Sequence, residues 1–158
     1  SGAPVTPAAH PELIELGRAG LLCNDAGLQA REGAWHVEGD PMEGALLAFA
    51  GKVDLDFRAE RDAWARTDAI PFDARHRFMS TLNHDHAGRA LAFVKGAPER
   101  ILSMCQDQRG KDGAHVPLDQ AGWHHLAEAT AARGQRVLAF AVRAFDPTTT
   151  LLERDSVE

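Results

Sequence analysis

The residues best suited to hold an anionic aromatic ligand are basic or aromatic side chains beside apolar runs. Lys95 ends the run 91–94, and Arg136 precedes the run 137–142. A strand cation with such neighbours is expected to face a partly desolvated cleft, where it attracts phosphate more strongly than in water. Phe72 offers the flat apolar surface that a nucleobase needs, and such stacking is worth roughly 1–3 kcal/mol. Taken alone, Phe72 favours a core residue and Lys95 a solvated charge at a strand end.

The elements that must position these residues follow from hydrophobic spacing and turn residues. The start of a helix is indicated at residues 40–43. Asp40 can cap the helix, Pro41 fits the first helical position, and Glu43 at the third helical position completes a capping box. The residues 83–88 form a polar turn between two apolar strands, which indicates a hairpin. We predict helices over 10–25, 41–53, 57–66, 98–104 and 118–133, and strands over 34–39, 67–72, 78–82, 89–95 and 136–143.

Composition limits the class of protein. The chain has 158 residues and a mass of 17.1 kDa, which favours one domain. It carries 23 acidic and 17 basic residues, for a net charge of −6, which disfavours non-specific nucleic-acid binding. Its longest apolar runs are far shorter than the ~20 residues that a membrane span needs. No contact of this chain with a membrane is expected, and its start has no signal-peptide pattern.

Several catalytic and metal-binding signatures are absent. The sequence contains no G-x-x-x-x-G-K-[ST] loop, no G-x-G-x-x-G and no H-E-x-x-H. His84-Asp85-His86 invites a metal interpretation, but a polar hairpin turn needs no metal and a structural zinc site needs four ligands. We therefore predict no catalytic residue and no metal site.

Four stretches carry a specific resemblance through their order and spacing. They are Gly39-Asp40-Pro41-Met42-Glu43-Gly44-Ala45-Leu46, Pro71-Phe72-Asp73-Ala74-Arg75-His76-Arg77-Phe78-Met79-Ser80, Val94-Lys95-Gly96-Ala97-Pro98-Glu99 and Gly134-Gln135-Arg136-Val137-Leu138-Ala139. Together they resemble the nucleotide-binding (N) domain of P-type cation-transporting ATPases, over about residues 10–145. Leu22-Cys23-Asn24-Asp25 is similar to the family's opening helix.

The resemblance implies an α+β fold, a twisted antiparallel β-sheet flanked by helices. It implies a linker or tag remnant at 1–9, the nucleotide-binding domain at 10–145, and a C-terminal linker at 146–158 toward a phosphorylation domain. The chain lacks the family's D-K-T-G-T, T-G-D and G-D-G-x-N-D motifs. We therefore expect an excised cytoplasmic domain of a bacterial plasma-membrane pump, an ATP-driven cation translocase, that binds nucleotide without hydrolysing it. The implied partners are ATP or ADP, accompanied by Mg²⁺, and the phosphorylation and actuator domains of the same parent chain.

The resemblance also implies roles for seven residues. Phe72 would stack on adenine, Lys95 would form the pocket floor, and Gly96 would let the chain pass close to the ligand. Glu43 would reach the adenine amino group, with its capping-box role as an equal alternative. The remaining three are Arg77 near the phosphates, Arg136 at the nucleotide and the facing domain, and Leu138 lining the pocket or the core.

Three positions depart from the family's pattern and motivate an alternative. Met42 stands where many relatives carry threonine, Ala74 where calcium pumps carry an arginine, and His76 where a basic residue is common. The alternative is a degenerate N-domain fold that acts as a protein-interaction or metal-sensing module. The histidine turn at 84–86 would then be its metal-sensing feature.

Overall fold

A four-stranded antiparallel sheet lies at the centre of the structure, a computed structural model that describes residues 6–110 and 113–158. The helices are α1 (Pro11–Leu22), α2 (Pro41–Lys52), α3 (Phe57–Ala63), α4 (Pro98–Met104), α5 (Gln120–Ala131) and α6 (Arg154–Val157), with a 3-10 turn at Pro7–Ala9. The strands are β1 (Gly27–Arg31), β2 (Ala34–Glu38), β3 (Trp64–Asp73), β4 (Phe78–Asp85), β5 (Ala90–Gly96), β6 (Asp107–Arg109), β7 (His115–Pro117) and β8 (Ala139–Phe145). The central order is β3-β4-β5-β8, and β1–β2 and β6–β7 form separate hairpins. This confirms the predicted α+β fold.

Local signals in the sequence account for the best-defined element ends. Asp40 caps α2 by accepting hydrogen bonds from the backbone N–H groups of Met42 and Glu43, at 2.8 and 3.3 Å. The Asp85 carboxylate closes the β4–β5 hairpin by accepting from the N–H groups of Ala87 and Arg89. The Arg89 bond is also the main reason that the pKa of Asp85 lies below its ordinary value.

One face of the sheet packs against α1. Met79 of β4 and Phe93 of β5 lie in one buried cluster with Ala19 and Leu22 of α1 and with Cys23, which directly follows the helix. Burying each large apolar side chain contributes about 1.5–3 kcal/mol. Since side chains on a strand alternate between faces, residue 95 lies on this same face, two positions after Phe93.

The opposite face packs against α4 and the C-terminal segment. Phe78 and Val94 from the strands lie in one buried cluster with Ile101, Leu152 and Val157. Both faces are therefore covered, which explains why six of the eight residues of β4 and six of the seven residues of β5 are buried.

The C-terminal residues contribute to this second cluster, which the linker prediction for 146–158 did not anticipate. Leu152 and Val157 are buried, and the backbone N–H of Leu152 donates to Asp68 Oδ2 at 2.6 Å. The segment therefore packs on the sheet. Of the predicted N-terminal linker, residues 1–5 lie outside the described residues, and residues 7–9 form the 3-10 turn.

Three strand predictions need correction. β3 begins at Trp64, although 57–66 was predicted to be helical, because the Trp64 ring is buried edge-to-face against Phe93. Residues 27–31 pair with β2, although only 34–39 was predicted as a strand. β8 begins at Ala139, opposite Gly96, and not at Arg136. In the described part of the chain, no helix has the length and apolar character that crossing a membrane requires.

Candidate functional site

One end of the central sheet brings together residues that are far apart in the chain. Asp73 of β3 pairs with Phe78 of β4, Phe78 pairs with Gly96 of β5, and Gly96 pairs with Ala139 of β8. We call this row the Gly96 end of the sheet. It forms because antiparallel strands place the last residues of β3 and β5 beside the first residues of β4 and β8.

All seven predicted site residues lie at this end or contact a residue that does. Six lie within three positions of the row, and the seventh, Glu43, is joined to it through Lys95. The six are Phe72, Arg77, Lys95, Gly96, Arg136 and Leu138.

Lys95 and Glu43 form a buried ion pair. Lys95 is only 3% exposed, and its Nζ lies 2.6 Å from Glu43 Oε1. The second carboxylate oxygen, Oε2, accepts the backbone N–H of Asp25 at 3.2 Å. The pair therefore joins the start of α2, the end of β5 and the chain after α1.

This pair corrects two expectations about its members. Glu43 does not complete a capping box, because both of its oxygens are used elsewhere and Asp40 alone caps α2. Lys95 is not a solvated strand-end charge. A buried charge without its partner is strongly destabilising, so this lysine also has a structural role.

Phe72 lies on the surface. Its exposed fraction is 61%, whereas Ile70, two residues earlier, is buried. Phe72 falls within an irregularity of the β3–β4 pairing between Ile70 and Asp73. The core alternative for Phe72 is therefore wrong, and its ring is free to receive a planar ligand.

Arg77 lies in the tight turn between β3 and β4, with a left-handed φ of 58°. Its guanidinium contacts the carboxylate of Glu99, and both side chains are about half exposed. An ion pair this exposed contributes about 0–1 kcal/mol, so a ligand can compete for the cation. In the same turn, the N–H of Arg75 lowers the pKa of the Asp73 carboxyl that accepts it.

Gly96 is explained by contact within the protein. A Cβ at this position would lie 2.4 Å from the carbonyl oxygen of Arg77 and 2.9 Å from Cα of Phe78. Only glycine therefore allows β5 to approach β4 this closely. The resemblance implied a close approach to the ligand, and the structure supplies a different reason for glycine.

Arg136 and Leu138 lie in the irregular segment that precedes β8. Arg136 is exposed and has no hydrogen bond or ion pair within residues 6–110 and 113–158, while Leu138 is half-buried. The site is thus an open surface with one exposed ring, one buried ion pair and cations around it. It can bind and orient an anionic planar molecule.

Two contributors to this site were not identified from the sequence. Glu99 contacts Arg77, and the backbone of Asp25 holds Glu43. Glu99 lies within the V-K-G-A-P-E stretch, but nothing in the spacing indicates its partner. A backbone donor such as Asp25 leaves no signal in the residue types.

The histidine turn does not gather metal ligands. His84 Nδ1 lies 2.9 Å from the hydroxyl of Thr67. Among the residues that the structure describes, no three His, Cys, Asp or Glu side chains are grouped so as to hold a metal ion.

Comparisons with known proteins show the family of this chain. Residues 12–158 match the family model described as "P-type ATPase, cytoplasmic domain N". The chain is 38% identical over 94% of its length to Cation-transporting ATPase pma1 of Synechocystis, of which this match covers 16%. It is 37% identical over 87% of its length to Probable cation-transporting ATPase F of Mycobacterium bovis. It is 32% identical over 84% of its length to Calcium-transporting ATPase 1 of Lactococcus lactis. Each of these two matches covers 15% of the relative. The chain thus spans about one sixth of these relatives, and it belongs to the family of cytoplasmic N domains of P-type ATPases.

Proposed function

We propose that this chain binds adenine nucleotides at the Gly96 end of the sheet. Phe72 stacks on the adenine ring, and the Lys95–Glu43 pair forms the polar floor beside it. The observation that carries the proposal is the exposed Phe72 ring at the same end of the sheet as this buried ion pair.

The cations around the site suit a polyphosphate tail. Arg77 gives up its weak surface ion pair with Glu99 and contacts phosphate instead. Arg136 is exposed in the segment that precedes β8. Three cations and two carboxylates of this site leave one net positive charge, in a chain whose net charge is −6; they are Arg77, Lys95 and Arg136 against Glu43 and Glu99. Lys95 already has Glu43 as a counter-ion, so Arg77 and Arg136 carry most of the phosphate recognition.

The chemical role is binding and positioning. In the parent protein, a cation-transporting P-type ATPase of a bacterial membrane, this cytoplasmic domain would present the γ-phosphate to an aspartate of the phosphorylation domain. Mg²⁺ would accompany the phosphates and neutralise their charge. The chain alone is expected to bind nucleotide with a Kd on the order of 1 mM, or roughly −4 kcal/mol, because only part of the ligand is held.

A nucleotide titration of the ¹⁵N-labelled chain tests this function. ATP should shift backbone resonances at 72–77, 95–96 and 136–138 in a saturable way and leave the β1–β2 hairpin unchanged. The purified chain should not hydrolyse ATP. Saturable shifts confined to other residues, or no shifts at millimolar ATP, would overturn the proposal.

A further inference from the structure

A cavity lies on the α1 face of the sheet, toward the end opposite to Gly96. Its volume is about 340 Å³, and it opens between the end of α1, α3 and strands β3 and β4. Asn83 lies four residues, or about 14 Å of strand, along β4 from Met79, which is opposite Lys95. The other rim of the cavity is closer to the nucleotide site, because Asn24 and Asp25 both line the cavity and contact Glu43. None of the seven nucleotide-site residues lines this cavity.

Asn83 supplies a buried acceptor at this cavity. The side chain is 1% exposed, and its Nδ2 donates to the carbonyl oxygen of Trp64 at 3.1 Å. A carbonyl can only accept, so the amide nitrogen must face Trp64. The amide oxygen Oδ1 is left without a hydrogen-bond partner in the described protein. Since buried polar atoms are nearly always hydrogen-bonded, this oxygen indicates a donor from outside the chain.

Two guanidinium groups line the same cavity. Arg66 lies directly opposite Asn83 in the β3–β4 pairing, and its Nη1 donates to Asp25 Oδ1 at 2.7 Å. Arg61 of α3 is exposed and has no hydrogen bond or ion pair among the described residues. Two cations and one carboxylate leave the cavity net positive, in a chain that is acidic overall.

We propose that this cavity binds a compact oxyanion that carries an O–H group, such as a protonated phosphate. The oxyanion lies against Arg61 and Arg66, and its O–H donates to Asn83 Oδ1. Leu21 and Trp64 contribute the apolar part of the cavity lining. The ligand contacts of this site are distinct from those proposed at the Gly96 end, although Asn24 and Asp25 connect the cavity to Glu43.

A comparison of phosphate with sulfate tests whether the cavity recognises the O–H group of its ligand. Both are tetrahedral oxyanions, but hydrogen phosphate keeps an O–H near neutral pH and sulfate has none. The ¹⁵N-labelled chain is titrated with sodium phosphate or sodium sulfate at matched ionic strength, and the Asn83 side-chain amide is followed. Phosphate should shift this signal saturably and bind about tenfold more tightly than sulfate, the effect of one hydrogen bond. Methyl phosphate, whose second pKa of about 6 leaves it largely without an O–H at neutral pH, should bind like sulfate, so the same titration distinguishes free phosphate from an esterified one.

Variants of α3 provide a matched pair that leaves the buried residues untouched. Arg61→Gln should weaken phosphate binding several-fold, while Arg58→Gln, on the same helix but outside this cavity, should bind like the wild type. Asn83→Ala, where it folds, should abolish the preference for phosphate over sulfate. Equal affinity for the two anions, shifts at Lys95 without shifts at Asn83, or unchanged binding by Arg61→Gln would each overturn the proposal.

Discussion

Lys95 is a proposed binding residue that also contributes to the stability of the fold. It is buried beside Glu43, and Glu43 in turn holds the backbone of Asp25. A residue that was expected only to meet a ligand thus also fixes the start of α2 against β5. Substitutions at this position therefore need a stability measurement beside any binding measurement.

Replacing Lys95 by alanine is expected to destabilise the domain by about 3–5 kcal/mol, because Glu43 is left as a buried charge without its counter-ion. Lys95→Met combined with Glu43→Leu should recover most of this loss, since no charge is then buried. Arg77→Ala, which removes a half-exposed ion pair, should cost less than about 1 kcal/mol. Urea unfolding of the variants measures each value, and wild-type stability of Lys95→Ala would contradict the structural role.

Phe72→Ala is expected to weaken ATP, ADP and AMP by similar factors, because all three present the same adenine ring. The loss should be about 1–3 kcal/mol, the worth of one stacked base. Stability should change little, since the ring is mostly exposed. Trp35→Ala, which removes another exposed aromatic ring, on β2, serves as the control in the same titrations. Loss of binding by Trp35→Ala, or unchanged binding by Phe72→Ala, would count against stacking at Phe72.

At the scale of elements, local signals were sufficient for some features and insufficient for others. The α2 cap at Asp40 and the Asp85 turn involve neighbours within four residues, and the sequence predicts both. The Lys95–Glu43 pair joins residues 52 positions apart, and Leu152 reaches Asp68 across 84 positions. Pairings over such distances depend on how the strands assemble, which residue spacing does not reveal. The candidate site residues were found through the four motifs, whereas their contacts required the structure.

Gly96→Ala tests the close approach of β5 to β4. The new methyl group would meet backbone atoms, which cannot move aside as a flexible side chain does. Such overpacking is expected to lower the free energy of unfolding by roughly 1–3 kcal/mol. Gly27→Ala on β1 is the matched control, because its nearest atom would lie 3.9 Å from the new Cβ. Thermal unfolding compares the two. Equal melting temperatures would show that the Gly96 end tolerates a side chain.

At the scale of the whole molecule, the central sheet needs cover on both faces. The helix α1 covers one face, and α4 with the C-terminal segment covers the other. The proposed nucleotide surface lies at the end of the sheet between these layers. Its geometry therefore depends on both layers staying in place.

Acidification should destabilise the domain in a defined direction. The pKa values of Asp73, Asp85 and Glu158 are lowered mainly by hydrogen bonds to Arg75, Arg89 and Arg100, in that order. A carboxyl whose pKa is lower in the folded state stabilises the fold above its unfolded pKa of about 4, and this contribution is lost as pH falls through the folded value. Melting temperatures should hold near neutral pH and fall below pH of about 4. Asp85→Asn should reduce this fall in melting temperature. If the melting temperature of the variant fell with pH as that of the wild type does, Asp85 would not contribute to the loss of stability in acid.

The C-terminal segment offers a test with adjacent residues. Leu152 is 9% exposed and lies in the cluster that covers one face of the sheet, whereas Leu151 is 72% exposed. Leu152→Ala removes buried methyl groups and leaves a cavity, which is expected to cost about 2–5 kcal/mol, while Leu151→Ala should change stability by less than about 0.5 kcal/mol. Urea unfolding measures both. Equal stabilities would mean that residues 146–158 behave as the linker predicted from sequence. A selective loss in Leu152→Ala would establish that this segment is part of the folded unit, and its removal would then uncover the face of the sheet that carries Phe78 and Val94.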